Sequence, residues 1–292
     1  MASSALIIQR RLTHYRVPLF ERMRASLQAR DVDLRLVYGQ PSAEEASKGD
    51  SAELDWGIRA RNTYIPSGRS YLCYQSLPRE IVQKSDLVII TQESQLVANY
   101  ALLLQRSFSQ RKIAMWGHGA NLQSAPGSWR EQFKRWYSSK VDWWFAYTEL
   151  SREIMVANGF PRARITCLNN TIDTSTFLRY RRNLTPQAIE AQREKLGLRG
   201  ARVGVFIGSL YAGKRLDLLQ EAADVLRSRL PDFKLLVIGD GPHRGSFEDW
   251  AATRDWVVYM GPLTGEDKIL CLSAAQVLLN PRLVGLVVMD SF

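Results

Sequence analysis

Three loops in the second half of the chain carry residues suited to holding a phosphate. The first is Gly208-Ser209-Leu210-Tyr211-Ala212-Gly213-Lys214-Arg215, between an apolar run at Val203–Ile207 and a helical pattern that starts near Leu216. It differs at its last position from the GxxxxGK[ST] loop, in which backbone N–H groups and a lysine cradle phosphates. Arg215 stands where that loop has its Mg²⁺-binding hydroxyl, which counts against nucleotide hydrolysis. Lys214 at a helix N-terminus, with glycines allowing close approach, still describes a sound diphosphate site. The second loop is Gly239-Asp240-Gly241-Pro242-His243-Arg244-Gly245, after Lys234–Ile238. Pro242, and a following strand (Trp256–Met260) that runs into Gly261 without an acid, argue against a dinucleotide site. A tight strand-to-helix turn is the simpler reading. The third, Val284-Gly285-Leu286, leads into Val287-Val288-Met289-Asp290. A glycine at a helix start presents amides to a phosphate, and Asp290 one turn on is placed to accept a ribose hydroxyl; plain helix capping is the alternative.

The first half offers fewer reactive groups. His118 lies between Gly117 and Gly119 at the end of the apolar run Lys112–Gly117, and His14, Tyr15 and Arg16 follow the first such run, Ala5–Ile8. Residues just past strand ends border binding clefts in open α/β sheets, so these are cleft candidates, which the resemblance set out below makes acceptor-side. Asp31-Val32-Asp33 spells the DxD of metal-dependent transferases but precedes the strand Leu34–Tyr38, at the wrong edge of a sheet. The family resemblance set out below implies no metal and no cofactor beyond a nucleotide substrate. No two-carboxylate hydrolase arrangement stands out.

The elements that position these loops alternate in type. Further β-branched or aromatic runs at Asp86–Thr91, Asp142–Thr148, Ile165–Leu168 and Gln276–Leu279 alternate with helix-period stretches at Pro18–Leu27, Gln95–Phe108, Glu149–Asn158, Leu216–Leu230 and Glu266–Ala274. That order predicts α/β domains with mostly parallel sheets covered on both faces. The polar stretch 181–200 reads as a linker between a first domain at 1–180 and a second at 201–292. The second has four candidate strands and a last segment with no cap, and so reads as incomplete.

Composition sets the class. With 292 residues, 46% hydrophobic and 23% charged, the chain is large enough for two packed domains and too apolar for disorder. No apolar run approaches the roughly 18 residues of a membrane span, and Arg10 and Arg11 follow the apolar start instead of preceding it as in a secretory signal. Three well-separated cysteines fit a reducing cytoplasm. The net charge of +10 is uneven: residues 1–180 carry 24 Lys+Arg against 16 Asp+Glu, and 181–292 carry 15 against 13. A net +8 first half suits an anionic partner such as a membrane surface, or is simply a solvated basic surface. Arg130, Lys134 and Arg135 within Trp129–Tyr137 mix basic and aromatic residues, but no nucleic-acid module is recognisable.

Taken in order, FIGSLYAGKRLDLLQEA, KLLVIGDGP, VVYMGPL and NPRLVGLVVMDSF resemble the donor-binding domain of glycosyltransferase family 4. LTHYRVPLFERM, WGHG at 116–119 and the stretch 144–173 extend the resemblance over nearly the whole chain. It implies a GT-B architecture, two Rossmann-like doubly wound domains facing across a cleft, and retaining transfer of a sugar from a UDP- or GDP-sugar to a glycan or lipid-linked acceptor. It implies work in envelope glycan or glycolipid synthesis, cytoplasmic or peripheral on the inner membrane face. Lys214 matches the lysine at the donor diphosphate, Gly208 its loop glycine, and Ser209 stands where many members have arginine. Gly241 and Gly261 fall in the two motifs between. Gly285 and Leu286 match the segment whose amides approach the phosphates, and Asp290 the second acid of the family's carboxylate pair. Arg282 occupies the place of the first acid, where a cation would meet an acidic sugar or phosphate. His118 matches a histidine near the reacting sugar. His118, Lys214 and Asp290 are thus the expected catalytic groups. Alternatives are a P-loop-like nucleotide-binding protein, a sugar-nucleotide epimerase or a donor-binding fragment without turnover.

Overall fold

The structure, a computed structural model, describes residues 3–46, 49–68, 70–106, 108–119 and 136–282, with Val287 and Met289. Two compact units divide it, Met1–Asn170 and Thr171–Phe292. Among the described residues no helix is long and apolar enough to cross a membrane.

The first unit is built on strands β1 (Ser3–Arg11), β2 (Val32–Gly39) and β3 (Ile58–Ala60), a hairpin of β4 (Asn62–Ser67) and β5 (Ser70–Gln75), then β6 (Leu87–Thr91), β7 (Lys112–Gly117), β8 (Trp143–Ala146) and β9 (Ile165–Cys167). All but the hairpin form one parallel sheet in the order β3-β2-β1-β6-β7-β8-β9. Its strands are buried on both faces because side chains alternate across the pleat. Leu6 and Ile8 of β1, Val88 and Ile90 of β6, and Ile113 and Met115 of β7 enter one core. Ala5 and Ile7, Ile89, and Ala114 and Trp116 enter the other. Helices Val17–Gln28, Val97–Arg106 and Glu149–Ala157 accompany the sheet. The last ends as the sequence indicated: Gly159 takes φ +87° and Phe160 N–H reaches back to Met155 O, a Schellman-type stop.

β3 and the hairpin were not legible as strands. β3 has three residues, and the hairpin is tightly closed, with Ser67 opposite Ser70. Its stability is borrowed: Cys73 packs with Leu96 and Ala98, and Cys73 N–H donates to Gln95 O at 2.8 Å.

The second unit repeats the plan with β10 (Arg202–Ile207), β11 (Phe233–Ile238), β12 (Val257–Tyr259) and β13 (Val277–Leu278) in the parallel order β12-β11-β10-β13. Leu235 and Val237 face one core, Leu236 and Ile238 the other. The stretch 181–200 is folded onto this unit. It contributes parts of two helices, Ser175–Asn183 and Pro186–Lys195. The Arg193 guanidinium donates to the carbonyls of Leu198 at 3.0 Å, Ala201 at 2.7 Å and Ala274 at 2.5 Å. One largely buried cation bonded to three backbone carbonyls explains why so polar a sequence stays docked. Of the mixed segment 129–137, Trp129, Arg130, Lys134 and Arg135 lie outside the described residues. Trp136 is exposed, whereas Tyr137 is 1% exposed and belongs to the core.

Candidate functional site

The strand order reverses direction between β1 and β6 in the first unit and between β10 and β13 in the second. Such switch points open a crevice at the carboxyl ends of the strands, where ligands settle. The loop after β1, His118 after β7, and the loop Gly208–Arg215 after β10 lie at the carboxyl ends of strands beside these points.

In the first unit, the chain leaving β1 passes through Thr13, His14, Tyr15 and Arg16 into the helix Val17–Gln28. The pocket beside it is lined by Tyr15, Arg16, Glu93, Trp116, His118 and Tyr147, among others. His14 lies outside that lining; it is exposed and tied to the Asp50 carbonyl by its backbone N–H at 3.0 Å. His118 follows β7 and is exposed, with its ring 4.5 Å from that of Tyr147 in an edge-on contact. The glycines around it are needed. Gly119 has φ +78°, its N–H donates to Gln92 Oε1 at 2.8 Å, and a Cβ there would meet Met155 Cγ at 2.8 Å.

The floor of this pocket is a charge network. Arg10 binds Glu45 through both terminal nitrogens at 2.6 and 2.7 Å and also pairs with Glu93. Arg11 binds Asp50 at 2.6 Å and Glu45 at 3.3 Å. Burial raises the Glu45 pKa, but the hydrogen bonds from Arg10 and the Ser42 amide outweigh it and bring the carboxyl to about 2. The network fixes the Ala43–Ala46 turn and the loop after β6 against the end of β1. Arg16 differs. It donates to the Tyr147 hydroxyl at 2.8 Å and lies over the rings of Trp116, Tyr147 and Tyr15 at 5.2, 5.7 and 5.8 Å.

His118 is pushed below its ordinary 6.5, first by partial burial and then by the Arg16 charge. Neutral imidazole is therefore the form present at pH 7, able to accept a hydroxyl proton or a hydrogen bond. In a proton–carbon correlation titration His118 is expected to show a midpoint below 6.5, moving upward in Arg16→Gln. A midpoint above 6.5, or one indifferent to Arg16, would contradict this electrostatic coupling.

In the second unit, the loops after β10 and β11 cross backbone to backbone. Gly208 N–H donates to Ile238 O at 3.0 Å, Leu210 N–H to Asp240 O at 2.9 Å and His243 N–H to Leu210 O at 2.9 Å. A Cβ on Gly239 would stand 1.9 Å from Gly208 O, and one on Gly241 2.5 Å from Leu210 O. Gly261 joins the same stack, its carbonyl accepting from Gly239 N–H at 2.8 Å. Gly241 and Gly261 thereby shape the crossing. Lys214 folds back over it, with Cε and Nζ 3.7 Å from where a Cβ on Gly208 would stand. No carboxylate pairs with Lys214 among the described residues. Ser209 is half-buried in the same loop.

Two details depart from the sequence reading. Lys214 does not open the α-helix: it ends a 3₁₀ turn, Ala212–Lys214, and Arg215 intervenes before Leu216–Arg229. Arg215 is left-handed at φ 52°, ψ 52°, and its exposed side chain pairs with Asp217 at 2.8 Å. A lysine held on a separate turn, followed by a left-handed residue, is not the GK[ST]-helix junction of a nucleotide hydrolase. Asp33 of the DxD triplet lies near the amino end of β2 and pairs with Arg35 at 2.8 Å, at the opposite sheet edge from its own unit's crevice. Arg282 is exposed, four residues beyond β13. Gly285, Leu286 and Asp290 lie outside the described residues.

Tyr147, Trp116, Gln92 and Glu93 were missed as site residues. Each sits at or just past a strand end, so the same loop logic that selected His118 reaches them once β6, β7 and β8 are neighbours.

Residues 201–292 match the family model of glycosyl transferases group 1. No curated protein matches the chain. Among solved structures, Anabaena HepE in complex with UDP-glucose is similar at 15% identity, over 99% of this chain and 77% of that one, with a TM-score of 0.60. The lipopolysaccharide outer core galactosyltransferase WaaB is similar at 12% identity, over 95% and 73%, with a TM-score of 0.56. The UDP-GlcNAc 2-epimerase of Neisseria meningitidis bound to UDP-GlcNAc is similar at 14% identity, over 95% and 77%, with a TM-score of 0.55. The chain thus has the α/β fold of GT-B glycosyltransferases, and its residues 201–292 carry the sequence pattern of glycosyl transferases group 1.

Proposed function

We propose that the chain transfers a sugar from a nucleoside-diphosphate sugar to an acceptor hydroxyl with retained anomeric configuration. The observation that carries this reading is the Lys214 ammonium group, without an acid partner among the described residues, above the crossing of Gly208, Gly239 and Gly241 at the carboxyl ends of β10 and β11. Glycines let a diphosphate approach the backbone closely, and a positive group there stabilises the charge that builds on the leaving diphosphate. A lysine in that role needs no metal. UDP is the first choice of nucleotide, since the similar HepE and epimerase structures hold UDP-sugars. The epimerases share the architecture; the match of residues 201–292 to glycosyl transferases group 1 favours transfer. Likeness to a lipopolysaccharide galactosyltransferase puts an envelope glycan or glycolipid first as acceptor.

His118, neutral at pH 7 and beside Tyr147, suits a role in binding sugar or acceptor hydroxyls. Asp290 and the amides of Gly285 and Leu286 are proposed to complete the donor site, with Arg282 near the donor sugar. The test is slow donor hydrolysis in EDTA, without acceptor, across a panel of UDP- and GDP-sugars. Free sugar should appear first in the donor's own anomeric form, read by proton NMR before mutarotation. Inverted sugar would overturn retention, and conversion of UDP-GlcNAc into a 2-epimer would overturn transfer.

A further inference from the structure

Arg16 is out of balance with its surroundings. Its neighbours Arg10 and Arg11 are matched by Glu45, Glu93 and Asp50, yet no carboxylate pairs with Arg16 among the described residues. Three aromatic rings and the hydroxyls of Tyr147 and Tyr15 surround it. Cation–π contact offsets part of the cost of drawing a guanidinium out of water, on the order of 1–2 kcal/mol, but supplies no counter-charge.

Other features of the same pocket point the same way. Arg16 also precedes the twelve-residue helix Val17–Gln28, whose first turn has neither a capping side chain nor an acid; the Val17 N–H is already bonded to His14 O and Pro18 has none, so the helix adds its dipole there and not free amides. Thr13 and Trp116, each 4% exposed, and Gln9, 5% exposed, line the pocket. Thr13 Oγ1, Trp116 Nε1 and Gln9 Nε2 are buried without a hydrogen-bond partner. All three are able to donate, and buried donors in folded proteins are ordinarily satisfied. A cation without a counter-charge and three unused donors around one pocket form a receptor for an anion with several oxygens.

We propose that this pocket binds a phosphate group carried by the acceptor, with Arg16 clamping two of its oxygens. This rests on the transferase reading for the word acceptor; the site itself does not. A tetrahedral phosphate makes use of more donors than a carboxylate, and a guanidinium fork matches it bidentately. The phosphate belongs either to a lipid or to a water-soluble sugar phosphate.

The test uses the full chain and follows the His118 ring signal, since His118 lines the same pocket and belongs to the first unit, whereas Lys214 belongs to the second. Inorganic phosphate should shift this signal saturably, with UDP present or absent. Arg16→Gln should weaken the response about tenfold or more, and Lys214→Ala should leave it unchanged. Arg16→Lys, which keeps the charge but loses the fork, should weaken it severalfold and serves if Arg16→Gln does not fold. An unmoved His118, or equal responses in the Arg16 variants and the parent, would overturn the proposal. Glucose 1-phosphate and phosphatidylcholine vesicles with or without phosphatidate separate the two sources. An Arg16-dependent response to phosphatidate alone identifies a lipid phosphate, and one to glucose 1-phosphate a soluble acceptor. UDP binding measured on the same sample keeps the readings apart. Phosphate bound through Arg16 without UDP binding removes the donor assignment and leaves the pocket, and the converse removes the pocket alone.

Discussion

Gly239→Ala is expected to lower the stability of the second unit by roughly 2–6 kcal/mol and to abolish nucleotide binding. Two costs add. At φ +146° the backbone of residue 239 is in a region that L side chains rarely adopt, worth about 1–3 kcal/mol of strain. The new Cβ would also lie 1.9 Å from Gly208 O, and a carbonyl in a strand-end crossing cannot swing aside as a side chain would, so overpacking adds about 1–3 kcal/mol. Relief would require parting the loops after β10 and β11, which breaks the Gly208 N–H to Ile238 O and Gly239 N–H to Gly261 O bonds. Tyr259, whose hydroxyl donates to Gly239 O at 2.9 Å, would lose its partner too. Thermal melts should show a fall of about 10 °C or more. Gly245→Ala is the control: it lies in the helix Arg244–Ala252 with open space at its Cβ, and should be neutral or stabilising by about 0.5–1 kcal/mol. Equal melting of the two variants would mean the crossing is not as tight as described.

Lys214→Ala should do the opposite: leave the fold alone and remove the donor. The ammonium group has no ion-pair partner among the described residues, so its removal orphans nothing, and stability should change by about 0.5 kcal/mol or less. A charge-assisted contact to a diphosphate is worth about 1.5–3 kcal/mol, so nucleotide affinity should fall roughly tenfold to a hundredfold. Arg215 is not expected to substitute. Its left-handed backbone directs it into a pair with Asp217.

Much of this molecule is legible from periodicity. Continuous apolar runs such as Leu34–Tyr38 and Lys112–Gly117 have one physical solution, a parallel strand buried on both faces, and the structure places β2 and β7 there. His118 at the end of such a run was legible for the same reason. The hairpin Asn62–Gln75 was not, because Pro66 interrupts its strand pattern and its support comes from Leu96 and Ala98 far along the chain. Nor were Tyr147 and Trp116 legible, since their meeting with Arg16 depends on the strand order, which no local pattern encodes. The near-match of Gly208–Arg215 to a hydrolase loop pointed to a phosphate site but misplaced the lysine. A left-handed arginine ahead of the helix is a choice that local propensity disfavours, and such exceptions gather at functional sites.

The donor assignment at Lys214 is tested most directly by calorimetric titration of the chain with UDP in EDTA, alongside Lys214→Ala. The account predicts saturable binding without metal, weakened at least about tenfold in the variant while both chains melt alike. UDP bound equally by both, or bound only when Mg²⁺ is restored, would contradict it.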